Sequence, residues 1–151
     1  MITIRPARRE DTEAIASMLE ELDRFYGATD IEPRATTLAG TESALFTSLP
    51  AAYALLAWSD SSLIGIASYS FLWPAAGVTR SLYLKELYVT GRYRRKGVGS
   101  LLMQEIFKTA RAQNCSRVEW TTEVENADAR QFYSVIGASL LDGKLLFRVT
   151  V

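Results

Sequence analysis

Histidine is absent from this chain of 151 residues, and cysteine occurs once, as Cys115. The lack of histidine excludes every mechanism that relies on an imidazole base. A single cysteine cannot form an internal disulfide, and it has no histidine partner for covalent catalysis. Clustered cysteines and histidines of the kind that hold zinc are also missing, so no metal is expected.

A charge excess of one sign is lacking too, because 17 basic residues balance 17 acidic ones. Neither nucleic acid nor an anionic membrane is therefore predicted as a partner. No apolar run approaches the roughly 18 residues of a membrane span, and the N-terminal residues lack the apolar core of a signal peptide. We expect a cytoplasmic protein in which residues 1–151 form one domain with its own core.

The hydrophobic pattern predicts an alternation of strands and helices. Strands are expected at residues 2–5, 52–58, 63–73, 82–89 and 117–122, with a closing hairpin of 138–141 and 145–149 around Asp142-Gly143-Lys144. Helices are expected after Asp11, within 36–48, from Gly97 or Val98 onward, and after Asn126, with Asp11 and Asn126 as N-terminal caps.

The most informative stretch is R-R-K-G-V-G, which joins the strand at 82–89 to the next helix. Glycines let a backbone approach a ligand closely, and the first N–H groups of a helix have no partner within it. Together with Arg94, Arg95 and Lys96, such a helix start suits a phosphate or diphosphate. A solvated basic loop is the alternative. The stretch does not match a Walker loop, which needs a Gly-Lys pair. It does not match a Rossmann fingerprint either, because that needs a glycine where Leu102 stands.

The pattern Arg94-x-x-Gly97-x-Gly99, preceded by E-L-Y-V and followed by an amphipathic helix, resembles the acyl-CoA-binding motif of the GNAT N-acetyltransferase superfamily. A second segment, Asn-x-x-Ala-x-x-Phe-Tyr-x-x-x-Gly from Asn126 to Gly137, resembles the late helix of that family. The resemblance implies an α/β fold with a mixed, mostly antiparallel central sheet flanked by helices, in which two parallel central strands splay apart. It also implies transfer of an acetyl group from acetyl-CoA to a primary amine, by direct attack in a ternary complex.

The resemblance further assigns a set of cofactor-binding residues, with the pantetheine arm along a strand backbone and the diphosphate at the loop. They are Leu87, Tyr88, Val89, Arg94, Arg95, Lys96, Gly97, Val98, Gly99, Ser100, Asn126 and Phe132. By the same resemblance, Phe25 and Tyr26 border the acceptor pocket, and Glu123 is a further substrate-binding candidate.

Two side chains are candidates for the proton transfers. The resemblance puts the hydroxyl of Tyr133 near the thioester sulfur, and a phenol with an ordinary pKa near 10 retains the proton that a departing thiolate needs. Simple packing is the alternative. Glu86 is the candidate base, because in a regular strand it interrupts the apolar face of Leu82, Leu84 and Tyr88. An exposed or arginine-paired carboxylate, and a water chain as base, stay open.

Weaker candidates for the base are Glu119 and Glu123. Similarity of Y-L-K-E-L-Y-V and E-W-T-T-E-V-E-N to small-amine acetyltransferases favours a small primary amine as acceptor. A protein lysine, a protein N-terminus, an aminoglycoside and an amino acid stay open as acceptors. The alternative from another class is a non-catalytic acyl-CoA-binding or sensing domain. The resemblance also implies dimerisation as an option, for which the apolar terminal hairpin offers a surface, but the sequence does not decide whether a homodimer forms.

Overall fold

Five strands and four α-helices make up the regular structure of the chain in a computed structural model that describes residues 1–151. In chain order they are β1 (Ile2–Pro6), α1 (Thr12–Phe25), α2 (Arg34–Leu45), β2 (Tyr53–Ser59), β3 (Ser62–Leu72), β4 (Arg80–Val89), α3 (Val98–Ala112), β5 (Cys115–Glu119) and α4 (Ala127–Val135). They fall into two compact units, Met1–Trp120 with all five strands, and Thr121–Val151 with α4. None of the helices combines the length and the apolar character that crossing a bilayer requires.

The sheet has the order β1-β2-β3-β4-β5, with antiparallel pairs except for the parallel pair of β4 and β5. This architecture confirms the predicted α/β class with a mixed, mostly antiparallel sheet flanked by helices. Helix α3 joins the two parallel strands, as a crossover connection requires. Pairing between them runs only from Arg80 to Tyr83, although β4 continues to Val89. The later half of β4 therefore has no strand on its β5 side.

Helices cover both faces of the sheet. Ile15, Met18 and Leu22 of α1 pack in one buried cluster with β-strand residues that include Ile66. Neighbouring residues of a strand point to opposite faces, so Gly65 faces the other way. A Cβ on Gly65 would lie 3.2 Å from the Leu102 side chain of α3. Gly65 therefore packs closely against α3, which lies on the face opposite α1.

The N-terminus of α1 differs from the expectation in how Asp11 is used. Asp11 stands at the N-cap position, but its side chain makes no capping hydrogen bond to α1. Instead, its two carboxylate oxygens accept from the Arg5 guanidinium at 2.7 and 2.8 Å, and one also accepts from the Arg8 amide at 2.7 Å. The fixed charge of Arg5 competes better for a nearly buried carboxylate than the helix amides do.

The structure corrects one predicted strand and one predicted hairpin. Strand β5 spans Cys115–Glu119 rather than 117–122, because Asn114 adopts φ 55° and turns the chain into the strand at once. The expected hairpin of 138–141 and 145–149 is wrong, since the structure has no strand after β5. An Asp-Gly turn is a local signal, whereas a lone two-stranded hairpin is marginal without a sheet or core to pack on. Leu145 and Phe147 are accordingly 81% and 86% exposed.

Candidate active site

A β-bulge in β4 determines where Glu86 points. Leu84 lies opposite Tyr69 of β3, whereas Glu86 lies opposite Ser68, the immediate neighbour of Tyr69. Lys85 is therefore an extra residue in β4, and the alternation of side chains is shifted by one from this point.

The bulge changes which side chains share a face of the sheet with Glu86. Because side chains alternate along a strand, Glu86 shares a face with Tyr88 and not with Leu82 and Leu84. The expectation that it would share a face with all three holds only for Tyr88. This face is the one covered by α1, since Tyr88 belongs to the cluster of Ile15, Met18 and Leu22.

The surroundings of Glu86 suit a proton acceptor. Its side chain is half-buried, and this burial is the main reason that its pKa lies above the ordinary carboxyl value. Lys85 partly opposes the rise in pKa, and the negative charge of Asp23 on α1 adds to it. A carboxylate with a raised pKa lies closer to the range useful for general base catalysis at neutral pH.

Tyr88, one of the residues assigned to the pantetheine arm, is anchored by its side chain. Its hydroxyl donates a hydrogen bond to Glu21 Oε1 of α1 at 2.8 Å. Burial first, and then this carboxylate, raise the pKa of Tyr88 to about 12. The phenol thus stays protonated near neutral pH and holds β4 to α1.

Arg94, the first residue of the basic motif, also lies against this surface. Its Nε donates to the carbonyl oxygen of Val89 at 2.9 Å. The guanidinium carbon is 4.0 Å from the ring centroid of Phe25 and 5.2 Å from that of Tyr88. Phe25, predicted to border the acceptor, therefore covers Arg94. Its ring also lies 5.2 Å from that of Tyr26, the other residue predicted there.

The rest of the loop has the features that were expected of an anion site. Gly97 is the N-cap of α3 with φ 83°, and no side chain caps this helix. The first hydrogen bond within the helix is that of the Leu101 amide to the Gly97 carbonyl at 3.0 Å, so the amides of residues 98–100 precede it. The first turn has no acidic residue, and Arg95 and Lys96 are exposed. The buried Val98 side chain fixes the helix start to the core.

The backbone of β4 next to this loop is open on one side. Leu87, Tyr88 and Val89 pair with β3, and their β5 side lacks a strand because the parallel pairing ends at Tyr83. An extended chain with amide groups can form strand-like hydrogen bonds with such an edge. A pantetheine arm is a chain of this kind, so the residues present fit the predicted donor.

The remaining predicted site residues belong to the second unit. Asn126 caps α4 as expected, with its Oδ1 accepting from the Ala129 amide at 3.1 Å. Phe132 and Tyr133 are half-buried neighbours with ring centroids 5.4 Å apart. Glu123 is exposed in the segment before the helix. These facts describe α4 itself, and the roles of its residues stay predictions.

Sequence reasoning missed the acidic residues of α1. Glu21 and Asp23 flank Leu22 of the apolar stripe, which marks them as lying at the border of the buried face. Their partners on β4 are more than 60 positions away in the chain, and no local pattern indicates them. Glu119, the weaker base candidate, accepts a hydrogen bond from the buried Ser81 hydroxyl at 2.6 Å.

Comparison with known proteins gives matches over nearly the whole chain. The model of the acetyltransferase (GNAT) family matches residues 15–138. Thialysine N-epsilon-acetyltransferase of Sus scrofa is 27% identical over 143 residues, which cover 91% of this chain and 84% of that protein. L-ornithine N5-acetyltransferase NATA1 of Arabidopsis thaliana is 32% identical over 78 residues, but the alignment covers only 52% of this chain and 34% of the plant protein.

Solved structures agree with the fold. An integron cassette protein from the mobile metagenome of V. cholerae superposes with a TM-score of 0.91 at 27% identity, covering 99% of this chain and 93% of that one. An aminoglycoside N-acetyltransferase in complex with CoA superposes with a TM-score of 0.81 at 18% identity, covering 100% and 96%. The second likeness supports the fold alone.

Proposed function

Because the chain belongs to the GNAT acetyltransferase family, we propose that it transfers an acetyl group from acetyl-CoA to the primary amine of a small molecule. The observation that carries the proposal is the start of α3, where Gly97 leaves the helix uncapped beside the exposed Arg95 and Lys96. A helix start with free amides, no acidic residue and two cations favours a diphosphate.

In this proposal the donor lies along two adjoining elements of the chain. The diphosphate binds at residues 95–100, and the pantetheine arm follows the open side of β4 at Leu87, Tyr88 and Val89. A backbone amide of this edge polarises the thioester carbonyl. Asn126 and Phe132 contribute from α4.

The chemistry needs a neutral amine and a proton for the leaving thiolate. Glu86, directly or through a water, accepts the proton of the attacking amine, for which its raised pKa suits it. The amine nitrogen forms the new bond to the acetyl carbon, the carbon–sulfur bond breaks, and Tyr133 protonates the thiolate. Acetyl-CoA and the amine are both bound when the attack takes place.

The proposal of a small amine rests on the named relatives. Thialysine and ornithine, which appear in the names of two relatives, are small molecules that carry primary amines. Phe25, Tyr26 and Glu123 are proposed to border this acceptor. The carboxylates of Glu86 and Asp23 on the α1 side of β4 favour a cationic molecule there.

Ligand-dependent thermal unfolding tests the donor first. Acetyl-CoA at 100 times its dissociation constant adds about 2.7 kcal/mol of stability, whereas ATP and NAD serve as controls. An acetyl-CoA-specific rise in the unfolding midpoint is expected. A rise with ATP instead, or no rise at all, would contradict the donor assignment.

Turnover is then tested with thialysine, ornithine, polyamines and a lysine-containing peptide. Tyr133→Phe removes only the hydroxyl, so it should lower kcat while the affinity for CoA stays unchanged. A Tyr133→Phe variant with full turnover would contradict the proposal that Tyr133 protonates the leaving thiolate. Acetyl-CoA binding without transfer to any amine would favour a non-catalytic sensing domain, and transfer to the peptide alone would favour a protein lysine. We propose that residues 1–151 act as one domain; the homodimer and the cytoplasmic setting stay predictions.

A further inference from the structure

The Arg94 guanidinium is engaged on its edge and on its face. On its edge, Nε donates to Val89 O, the carbonyl at the end of β4. On its face, the guanidinium carbon is 4.0 Å from the Phe25 ring centroid. Arginine has a rigid planar group, so these two contacts together fix both the position and the orientation of the side chain.

The two basic residues that follow Arg94 are in a different situation. Arg95 and Lys96 are exposed, whereas Arg94 is half-buried. No salt bridge fixes any of the three. Cations that bind a diphosphate need donors within reach of solvent, and the exposed Arg95 and Lys96 have them, although Lys96 Nζ also lies 5.5 Å from the ring centroid of Tyr93. Arg94 directs its Nε donor into the protein instead.

The Val89 carbonyl oxygen, which accepts the hydrogen bond from Arg94, lies at the end of β4. Val89 ends the open stretch of β4 that begins after Tyr83. The adjoining Thr90 amide bonds Ile64 O at 3.0 Å, so Arg94 adds a second tie at the end of the strand. The hydroxyl of Tyr88 provides a third tie through Glu21.

We propose that Arg94 is a positioning residue and not a phosphate ligand: clamped between Phe25 and Val89 O, it sets the end of β4 along which the acyl donor lies. The inference rests on the proposed function, because it assigns a role in the use of the acyl donor. It predicts that Arg94 affects donors with and without phosphates equally. A phosphate ligand affects only the phosphorylated donor.

The experiment compares acetyl-CoA with S-acetylpantetheine, which has the same thioester and arm but no phosphate. Arg94→Lys keeps the charge but removes the Nε donor and the flat stacking surface. It should lower kcat/KM by about 10-fold with both donors, as the loss of one charge-assisted hydrogen bond predicts, and leave the ratio between donors unchanged. Lys96→Met, as a control for a phosphate contact, should shift that ratio toward S-acetylpantetheine.

Two results would overturn the inference. One is an Arg94→Lys variant with wild-type kcat/KM for both donors, and the other is a loss confined to acetyl-CoA. Phe25→Leu leaves arginine in place but removes the stacking ring, and should lower both rates by about 2- to 5-fold at a constant ratio. Because Phe25 is also proposed to border the acceptor, these rates are measured with the amine saturating, so that only the use of the donor is compared. Under that condition Phe25→Leu decides the question if Arg94→Lys proves unfolded at the assay temperature.

Failure of the proposed function can be told apart from failure of this inference. If wild-type protein acetylates no amine in the panel, calorimetry with CoA at two salt concentrations replaces the rates. A lost phosphate contact weakens the salt dependence of CoA affinity, whereas a lost positioning contact lowers the affinity without changing that dependence. This measurement uses Arg94→Met, which removes the charge as Lys96→Met does. If Arg94→Met flattens the salt dependence in the same way, or wild-type protein binds no CoA, the inference fails.

Discussion

Substitution of Gly97 by alanine probes the start of α3 with little steric disturbance. Gly97 has φ 83°, and a Cβ there would meet no atom within 4 Å. The cost is therefore backbone strain alone, about 1–2 kcal/mol for an L-residue in the left-handed region. For a domain of this length, each kcal/mol lowers the unfolding midpoint by about 2–4 °C, so a decrease of about 2–8 °C is expected.

Gly91→Ala is the matched control. A Cβ at Gly91 also meets no atom within 4 Å, but its φ lies outside the left-handed region. Urea and thermal unfolding should show a near-neutral Gly91→Ala variant and a clearly destabilised Gly97→Ala variant. Gly97→Asn should lie between them, because asparagine tolerates positive φ better than alanine. Equal stability of the two alanine variants would refute the strain argument.

The same variants report on the proposed diphosphate site. Strain at Gly97 is relieved when the loop changes conformation, and this moves the amides of residues 98–100 that precede the first helical bond. The CoA-dependent rise in the unfolding midpoint should therefore be smaller in Gly97→Ala than in Gly91→Ala. A full rise in both variants would separate CoA binding from the helix start.

Three further outcomes are expected. Gly65→Ala places a Cβ 3.1 Å from Tyr88 O, so overpacking should lower the free energy of unfolding in urea by about 1–3 kcal/mol. A variant as stable as the wild type would show that β3 and β4 move apart enough to accept the Cβ. Asp11→Asn weakens the pairing with Arg5 that lowers the pKa of Asp11. The free energy of unfolding that this pairing contributes is fully present above the unfolded pKa, about 3.9, and is lost as pH falls through the folded pKa. Variant and wild type should therefore converge in acid and differ by about 1–3 kcal/mol at neutral pH. Glu86 must be ionised to act as a base, so kcat/KM should fall with decreasing pH through a pKa above the ordinary carboxyl value. Glu86→Gln should be about 100-fold slower and should lack this fall of kcat/KM at low pH. A variant that keeps the fall would show that the base is another group.

Local signals predicted the parts of the fold that local forces determine. The strand, basic turn and helix from residue 80 to 112 were predicted nearly to the residue, because apolar alternation, glycine and helical periodicity each act over a few positions. The cap at Asn126 was predicted for the same reason, since its partner is only three residues away. The mostly antiparallel sheet followed from the resemblance, and the comparisons confirm it.

Features that depend on distant partners were not predictable in this way. Asp11 looks like a helix cap in sequence, but Arg5 on β1 takes its carboxylate. The segment at 138–149 has the alternation and turn of a hairpin, yet it forms no strand in the structure. In both cases the local preference is real, and the outcome depends on which backbone or charged group lies next to it in space.

The bulge at Lys85 shows how one such feature changes a chemical argument. Nothing in L-K-E-L marks an inserted residue, since glycine and proline are both absent there. Regular alternation would place Glu86 on the face of Leu84, which is remote from α1. The bulge instead turns the carboxylate to the face that α1 covers, where burial first, and then the negative charge of Asp23, raise the pKa of Glu86. The sequence singles out Glu86 as an acidic residue in an apolar strand, and its role as the base stays a prediction. The side of the sheet on which its carboxylate lies depends on the bulge, which the strand pattern does not indicate.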